Sequence, residues 1–172
     1  MEQVNHPTHY NQHMAGIECI DIIRHYTCDI ANALKYLWRA GLKPEMGKED
    51  AEKEIEDLQK ALWYIKDYAD WCHRSTPQVC PLVILVDRMK AVTGYTPEQI
   101  IEGYEKNVAA AMNELLRVGL IVQKKGVWHR LKWYISLDIA TRCIEQRILE
   151  INDKLKESEL EMKKLQEEKT EI

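Results

Sequence analysis

Phenylalanine is absent from this chain, and glycine and proline are scarce, at 7 and 5 among 172 residues. So few turn formers argue against an all-β protein, whose many short strands need frequent turns. Without phenylalanine, 8 Tyr and 5 Trp supply all the aromatic surface, and each of those rings carries a polar handle. No uncharged run approaches the about 20 residues that a spanning helix needs, which predicts no membrane partner. The opening stretch Met1-Glu2-Gln3-Val4-Asn5-His6 lacks the basic-then-apolar order of a signal peptide, so a cytoplasmic protein is expected. The 5 cysteines, at 19, 28, 72, 80 and 143, form no Cys-x-x-Cys pair. An odd number without a secretion signal predicts reduced thiols.

What is abundant is Glu, Lys, Leu, Ile and Ala, with 30% charged and 45% hydrophobic residues. A mainly α-helical fold follows. The net charge of −4 is unevenly spread, because residues 77–137 carry 8 bases against 5 acids while both flanks are acidic. Such shifts mark segment boundaries.

Apolar periodicity places the elements. Ile17, Ile20, Ile22 and Ile23 predict a short helix ending near Tyr26. Ile30, Ala33, Leu34 and Leu37 predict a second over 30–40, with Asp29 as N-cap and Gly41 as a left-handed stop. Ile55, Leu58, Leu62, Ile65 and Ala69 predict a third over 48–71, with acids in its first turns. Ser75-Thr76-Pro77 reads as a linker, followed by a short apolar helix over 82–92. Thr96-Pro97-Glu98-Gln99 is a capping-box start with proline at the first helical position. The pattern then runs to Gly119, with a break near Asn107.

Leu120-Ile121-Val122 and Trp133-Tyr134-Ile135 flank a polar stretch centred on Lys125-Gly126, which predicts a β-hairpin. Three helices followed by a basic hairpin suggest a winged-helix-like α+β module. From Leu137 a heptad emerges at 137, 141, 144, 148, 151, 155, 158, 162, 165, 169 and 172. Most of these positions are Leu, Ile or Met, with Thr141, Ser158 and Lys169 as exceptions, so a coiled coil and a homo-oligomer are expected. A long helix folded back on its own protein would give the same stripe. The expected organisation is a helical nucleotide-binding domain over 1–74, the winged-helix-like module over 78–137, and an oligomerising helix over 138–172.

The first segment carries the chemistry. Lys35 and Arg39 lie four apart on one side of the second helix, flanked by Tyr36 and Trp38. Lys53, Asp57, Lys60 and Tyr64 follow at spacings of four, three and four on the third. Packed antiparallel, the two rows would converge on one cleft, over which an arm could bring His6, His9 and Tyr10. Cations suit phosphate, rings suit stacking, and a carboxylate suits sugar hydroxyls or a magnesium ion carried with the nucleotide. The candidate residues are Lys35, Arg39, Lys43, Lys60 and His9 for phosphate. Tyr10, Tyr36, Trp63 and Tyr64 would stack, His6 would close the arm, and Asp57 would meet ribose or magnesium. For a transfer reaction the catalytic set would be Arg39, Lys43, Asp57 and Lys60.

The order Asn5-His6-Pro7-Thr8-His9-Tyr10, Gly16-Ile17-Glu18, Leu34-Lys35-Tyr36-Leu37-Trp38-Arg39-Ala40-Gly41-Leu42-Lys43 and Asp57-Leu58-Gln59-Lys60-Ala61-Leu62-Trp63-Tyr64 resembles the SaV-like family of small phage proteins, often labelled phage nucleotide kinase. The resemblance covers about residues 4–68. It implies a phage protein acting in a bacterial cytoplasm on a nucleotide. The chain has neither a Gly-x-x-x-x-Gly-Lys-Ser/Thr nor a Gly-x-Gly-x-x-Gly loop, so a nucleoside monophosphate kinase would have to work without a phosphate loop.

Four other readings use the same residues or their neighbours. A non-catalytic nucleotide-sequestering protein, acting for instance against a defence signal, needs only the cleft. A magnesium-dependent pyrophosphohydrolase would use Glu18/Asp21 and Glu54/Asp57. Zinc could bind His6, His9 and His13. A DNA-binding regulator would use Arg117, Lys124, Lys125, Arg130 and Lys132.

Overall fold

The computed structural model describes residues 10, 12–42, 47, 49–74, 86–118 and 127–170, with side chains for all of these except 86–88, 127–133 and 168–170. Seven helices are found among them: α1 (Cys19–Ile23), α2 (Cys28–Arg39), α3 (Asp50–Arg74), α4 (Val86–Thr93), α5 (Pro97–Ile101), α6 (Lys106–Val118) and α7 (Val127–Thr170). No strand occurs among the described residues, and no helix there is long and apolar enough to cross a membrane.

The ends of these helices follow local chemistry. α2 begins at Cys28, one residue ahead of Asp29, and its N-cap Thr27 makes no side-chain capping bond. Asp29 therefore lies inside the first turn, where its charge favours the positive end of the helix dipole. Gly41 follows α2 with φ 74°, a conformation that favours glycine. A Cβ there would stand 3.3 Å from Glu54 Oε2. At α5 the capping box forms in full: Thr96 accepts from the Gln99 backbone and Gln99 returns the bond. The helix breaks at Glu102–Glu105, with Gly103 at φ 85°. Glu105 Oε2 then accepts from the Asn107 and Val108 backbone N–H groups and starts α6.

α2 packs on α3, α6 on α7, α3 on α7, and α2 on α6. One buried apolar cluster threads all four. It takes Ile30, Leu34 and Leu37 from α2, Leu58, Ala61 and Ile65 from α3, Met112, Leu115 and Leu116 from α6, and Leu137, Ala140, Ile144 and Ile151 from α7. Each large side chain removed from water in this way contributes about 1.5–3 kcal/mol. Two long-range bonds fix the register of the pairs: Tyr26 Oη donates to the Leu116 carbonyl (3.0 Å) and Tyr104 Oη to that of Trp38 (3.2 Å). Arg147 ties α7 to Glu54 of α3 at 2.8 Å and lies 3.8 Å from Glu105.

Two expectations change. The second strand of the expected winged-helix hairpin, Trp133-Tyr134-Ile135, is helical and belongs to α7; the first, 120–122, lies outside the described residues. No glycine or proline interrupts the chain after Gly126, and Tyr134 and Leu137 are one turn apart in the same helical period. Burial of Leu137 and Ala140 favours that period over the β preference of the aromatic run. The heptad stripe is divided as well. Leu137, Ile144 and Ile151 are buried in the chain's own core and Leu155 packs against it, whereas Met162 and Leu165 are exposed. Only the last third of α7 keeps its stripe bare.

Candidate functional site

Pairing fixes the direction of α2 against α3. Tyr36 meets Tyr64 and Arg39 meets Asp57, so the helices run antiparallel, and the two rows of polar residues face each other. Arg39 grips Asp57 with two parallel bonds, Nε to Oδ2 at 3.0 Å and Nη2 to Oδ1 at 2.7 Å. This fork-to-carboxylate geometry is the strongest form of ion pair. Lys53 Nζ donates to the same Oδ1 at 3.2 Å, and Arg39 Nη1 reaches Tyr10 Oη at 3.3 Å. Arg39 is 9% exposed, Lys53 3% and Asp57 1%, so these charges depend on each other rather than on water. Burial opposes the charge on Arg39, but its bonds to Asp57 and Tyr10 outweigh that and raise its pKa.

Around this clamp lies a ring of cations and aromatics. The Tyr36 ring centre has Arg39 Cζ at 4.5 Å, Lys35 Nζ at 4.9 Å and Lys60 Nζ at 5.7 Å. Cation–π attraction holds all three near the ring face. Tyr36 stacks with Tyr64 at 5.8 Å and an interplanar angle of 20°. Trp63 stands edge-on to Tyr64 at 4.9 Å. Lys60 pairs with Glu56, one helical turn away, and Lys53 also lies 3.2 Å from Glu56. Lys35 donates to Asn32 Oδ1 at 2.7 Å. Among the described residues, four cations thus face two carboxylates. Behind them, burial pushes the Cys19 thiol up to about 12, although Lys35 and Arg39 pull the other way. Cys19 is therefore an inert core thiol. At the far end of the α2–α3 pair, burial and the neighbouring Asp67 raise Asp29 above the usual carboxylate range.

Residues 4–66 match a family described as "protein of unknown function (DUF3310)". No curated protein and no solved structure matches the chain. The matched span takes in every member of the cluster from Tyr10 to Tyr64 and stops short of α4 to α7.

The rows read from the sequence do converge: Tyr10, Lys35, Tyr36, Arg39, Asp57, Lys60 and Tyr64 share one cluster, with Trp63 at its edge. His6, His9 and Lys43 lie outside the described residues. Asp57 is not open to a sugar or a metal, because both oxygens accept from Arg39 and Lys53. Its role is to aim Arg39. Tyr36 likewise offers no free stacking face, since Tyr64 and three cations surround it. Glu56 was not singled out by the sequence reading, although its spacing from Lys53 (three) and Lys60 (four) is the ordinary signature of helical ion pairs.

The carboxylates suggested for magnesium are engaged elsewhere, Asp21 by Arg24 at 2.9 Å and Glu54 by Arg147. Among the described residues no three His, Cys, Asp or Glu side chains converge on a metal position. His13 is a buried structural residue. Its Nε2 lies 2.8 Å from the Ile100 carbonyl and its Nδ1 accepts from the Ala15 N–H, which fixes the Nε2–H tautomer. Its ring packs against Trp38 and Tyr104. With helix at 127–135, the basic wing that the alternative DNA-binding reading would use has no second strand.

Proposed function

We propose that the α2–α3 cluster binds a nucleotide, with its phosphate held by Lys35, Lys60 and the outer edge of Arg39. The observation that carries this reading is the set of three cations gathered within 6 Å of one tyrosine ring centre. Asp57 and Lys53 keep Arg39 fixed, so only the two lysines need to adjust on binding. Such preorganisation lowers the cost of association. A magnesium ion would arrive as the counter-ion of the nucleotide's own phosphates. The geometry favours binding over turnover, because Asp57 is committed to its clamp and cannot serve as a base. Conversion of a nucleoside monophosphate and ATP into a diphosphate, followed by chromatography, would add the phosphoryl transfer implied by the SaV-like resemblance. An unchanged ligand leaves a sequestering role.

The test of binding is a melting-temperature screen of nucleotides, since a ligand of the folded state alone raises the transition by mass action. Lys35→Ala and Lys60→Ala should each weaken the responding nucleotide about tenfold or more, the scale of a charge-assisted hydrogen bond. Lys66→Ala, at an exposed lysine that lines the groove between α3 and α7 with Tyr134 and Asp138, should change nothing. Equal losses for all three variants would overturn the site.

The bare stripe of α7 supports self-association through its last third, at Ser158, Met162 and Leu165, rather than along the whole of 138–172. Light scattering of the full chain should then give a mass above that of one chain, and removal of residues after 156 should return it to a monomer without loss of helix in the body. A full-length monomer at high concentration would reject this association.

A further inference from the structure

Two aromatic faces in the cluster are already used. A base between Tyr36 and Tyr64 would need roughly twice the shortest ring-stacking distance of ~4.5 Å, and their centres are 5.8 Å apart. The remaining approaches to Tyr36 are taken by Lys35, Arg39 and Lys60. Trp63 differs. Among the described residues its ring contact is with Tyr64, the two planes at 89°, and it is 61% exposed. An indole left this open on a helix is not a core residue. It stands three residues from Lys60, one turn along the same helix, and so beside a phosphate held there. Trp71, the other exposed tryptophan of α3, is instead stacked on the buried Tyr68 at 6.0 Å.

We infer that the base of the nucleotide lies flat on the open face of Trp63, outside the Tyr36–Tyr64 pair, and that the site selects purine over pyrimidine mononucleotides. This rests on the nucleotide reading above and adds the class of base. The phosphate is drawn in by Lys60 and Lys35, while the base stays on the outer surface of α3 with one face toward solvent. A platform of this kind distinguishes bases by stacking area rather than by their hydrogen-bonding edges, and a purine offers the larger area.

Calorimetric titration of the full chain with AMP, GMP, CMP, UMP and ribose 5-phosphate tests this. AMP and GMP should bind more tightly than CMP and UMP, and ribose 5-phosphate should bind most weakly. Trp63→Ala should weaken AMP about tenfold, within the range of base–aromatic stacking, and leave ribose 5-phosphate unchanged. Trp63→Phe should restore most of the loss, and Trp71→Ala should have no effect. If Trp63→Ala binds AMP as the parent does, loses ribose 5-phosphate equally, or if pyrimidines bind as tightly as purines, the stacking is overturned while the phosphate site stands. If none of the five compounds binds the parent protein, the nucleotide reading itself fails.

Discussion

Asp57→Ala is expected to destabilise the protein by about 3–5 kcal/mol, the cost of leaving a buried charge without its partner. Removal of this one carboxylate takes the bidentate acceptor from Arg39 and one of two carboxylate neighbours from Lys53, both cations being nearly inaccessible to water. Arg39→Ala should cost less, because Lys53 still reaches Asp57 Oδ1 at 3.2 Å. The double variant should be clearly less unstable than the sum of the two, since both remove the same bidentate bond. Urea unfolding at neutral pH resolves this order. A loss of about 3–5 kcal/mol is a large part of the 5–15 kcal/mol that holds a typical domain together, so Asp57→Ala should also melt well below the parent. Near-equal, small losses for both variants would mean that the clamp is not buried as described. Asp57→Asn preserves the shape and one acceptor while removing the charge, and so separates ion pairing from packing.

Trp38→Ala should be comparably severe, at about 3–5 kcal/mol for a large aromatic removed from a packed interior. Trp38 is 1% exposed, and three segments meet on it. The His13 ring lies 5.3 Å away and the Tyr104 ring 5.9 Å away, while its own carbonyl accepts from Tyr104 Oη. Losing the indole therefore frees His13 and loosens the α5–α6 turn together. Trp38→Phe should recover a good part of the stability. A thermal transition in Trp38→Ala unchanged from the parent would show that the cavity is filled by neighbours.

Both effects concern residues whose position was only half visible in the sequence. The helical spacing of Lys35 and Arg39, and of Lys53, Asp57, Lys60 and Tyr64, was enough to put each row on one side of its helix. It could not say which carboxylate Arg39 would choose, because that depends on the vertical register of α2 against α3. That register belongs to the buried apolar faces, to which α2 contributes Leu34 and Leu37 and α3 contributes Leu58 and Ala61, and no polar spacing reports it. For the same reason Asp57 looked available as a ligand. Trp63 was legible as an aromatic near the cluster, but its exposure could come only from the fold.

Residues 127–135 misled for a different reason. Their short apolar runs satisfy a strand period and a helix period alike, and Gly126 reads equally as the tip of a turn or as the stop before a helix. The heptad from Leu137 was read correctly as a helical stripe, yet a stripe does not reveal whose surface covers it. Here Leu137, Ile144 and Ile151 turn to the chain's own α3 and α6.

That division of α7 has a mechanical consequence. Arg147 contacts Glu54 near the start of α3 while Tyr134 contacts His73 near its end, so α7 runs back along α3 and then leaves the body beside the α2–α3 turn. At 1.5 Å per residue, the stretch from Leu155 to Thr170 spans about 22 Å. A partner seated only at the far end of this rod would be held about two nanometres from the folded mass, far enough to leave the α2–α3 cluster uncovered.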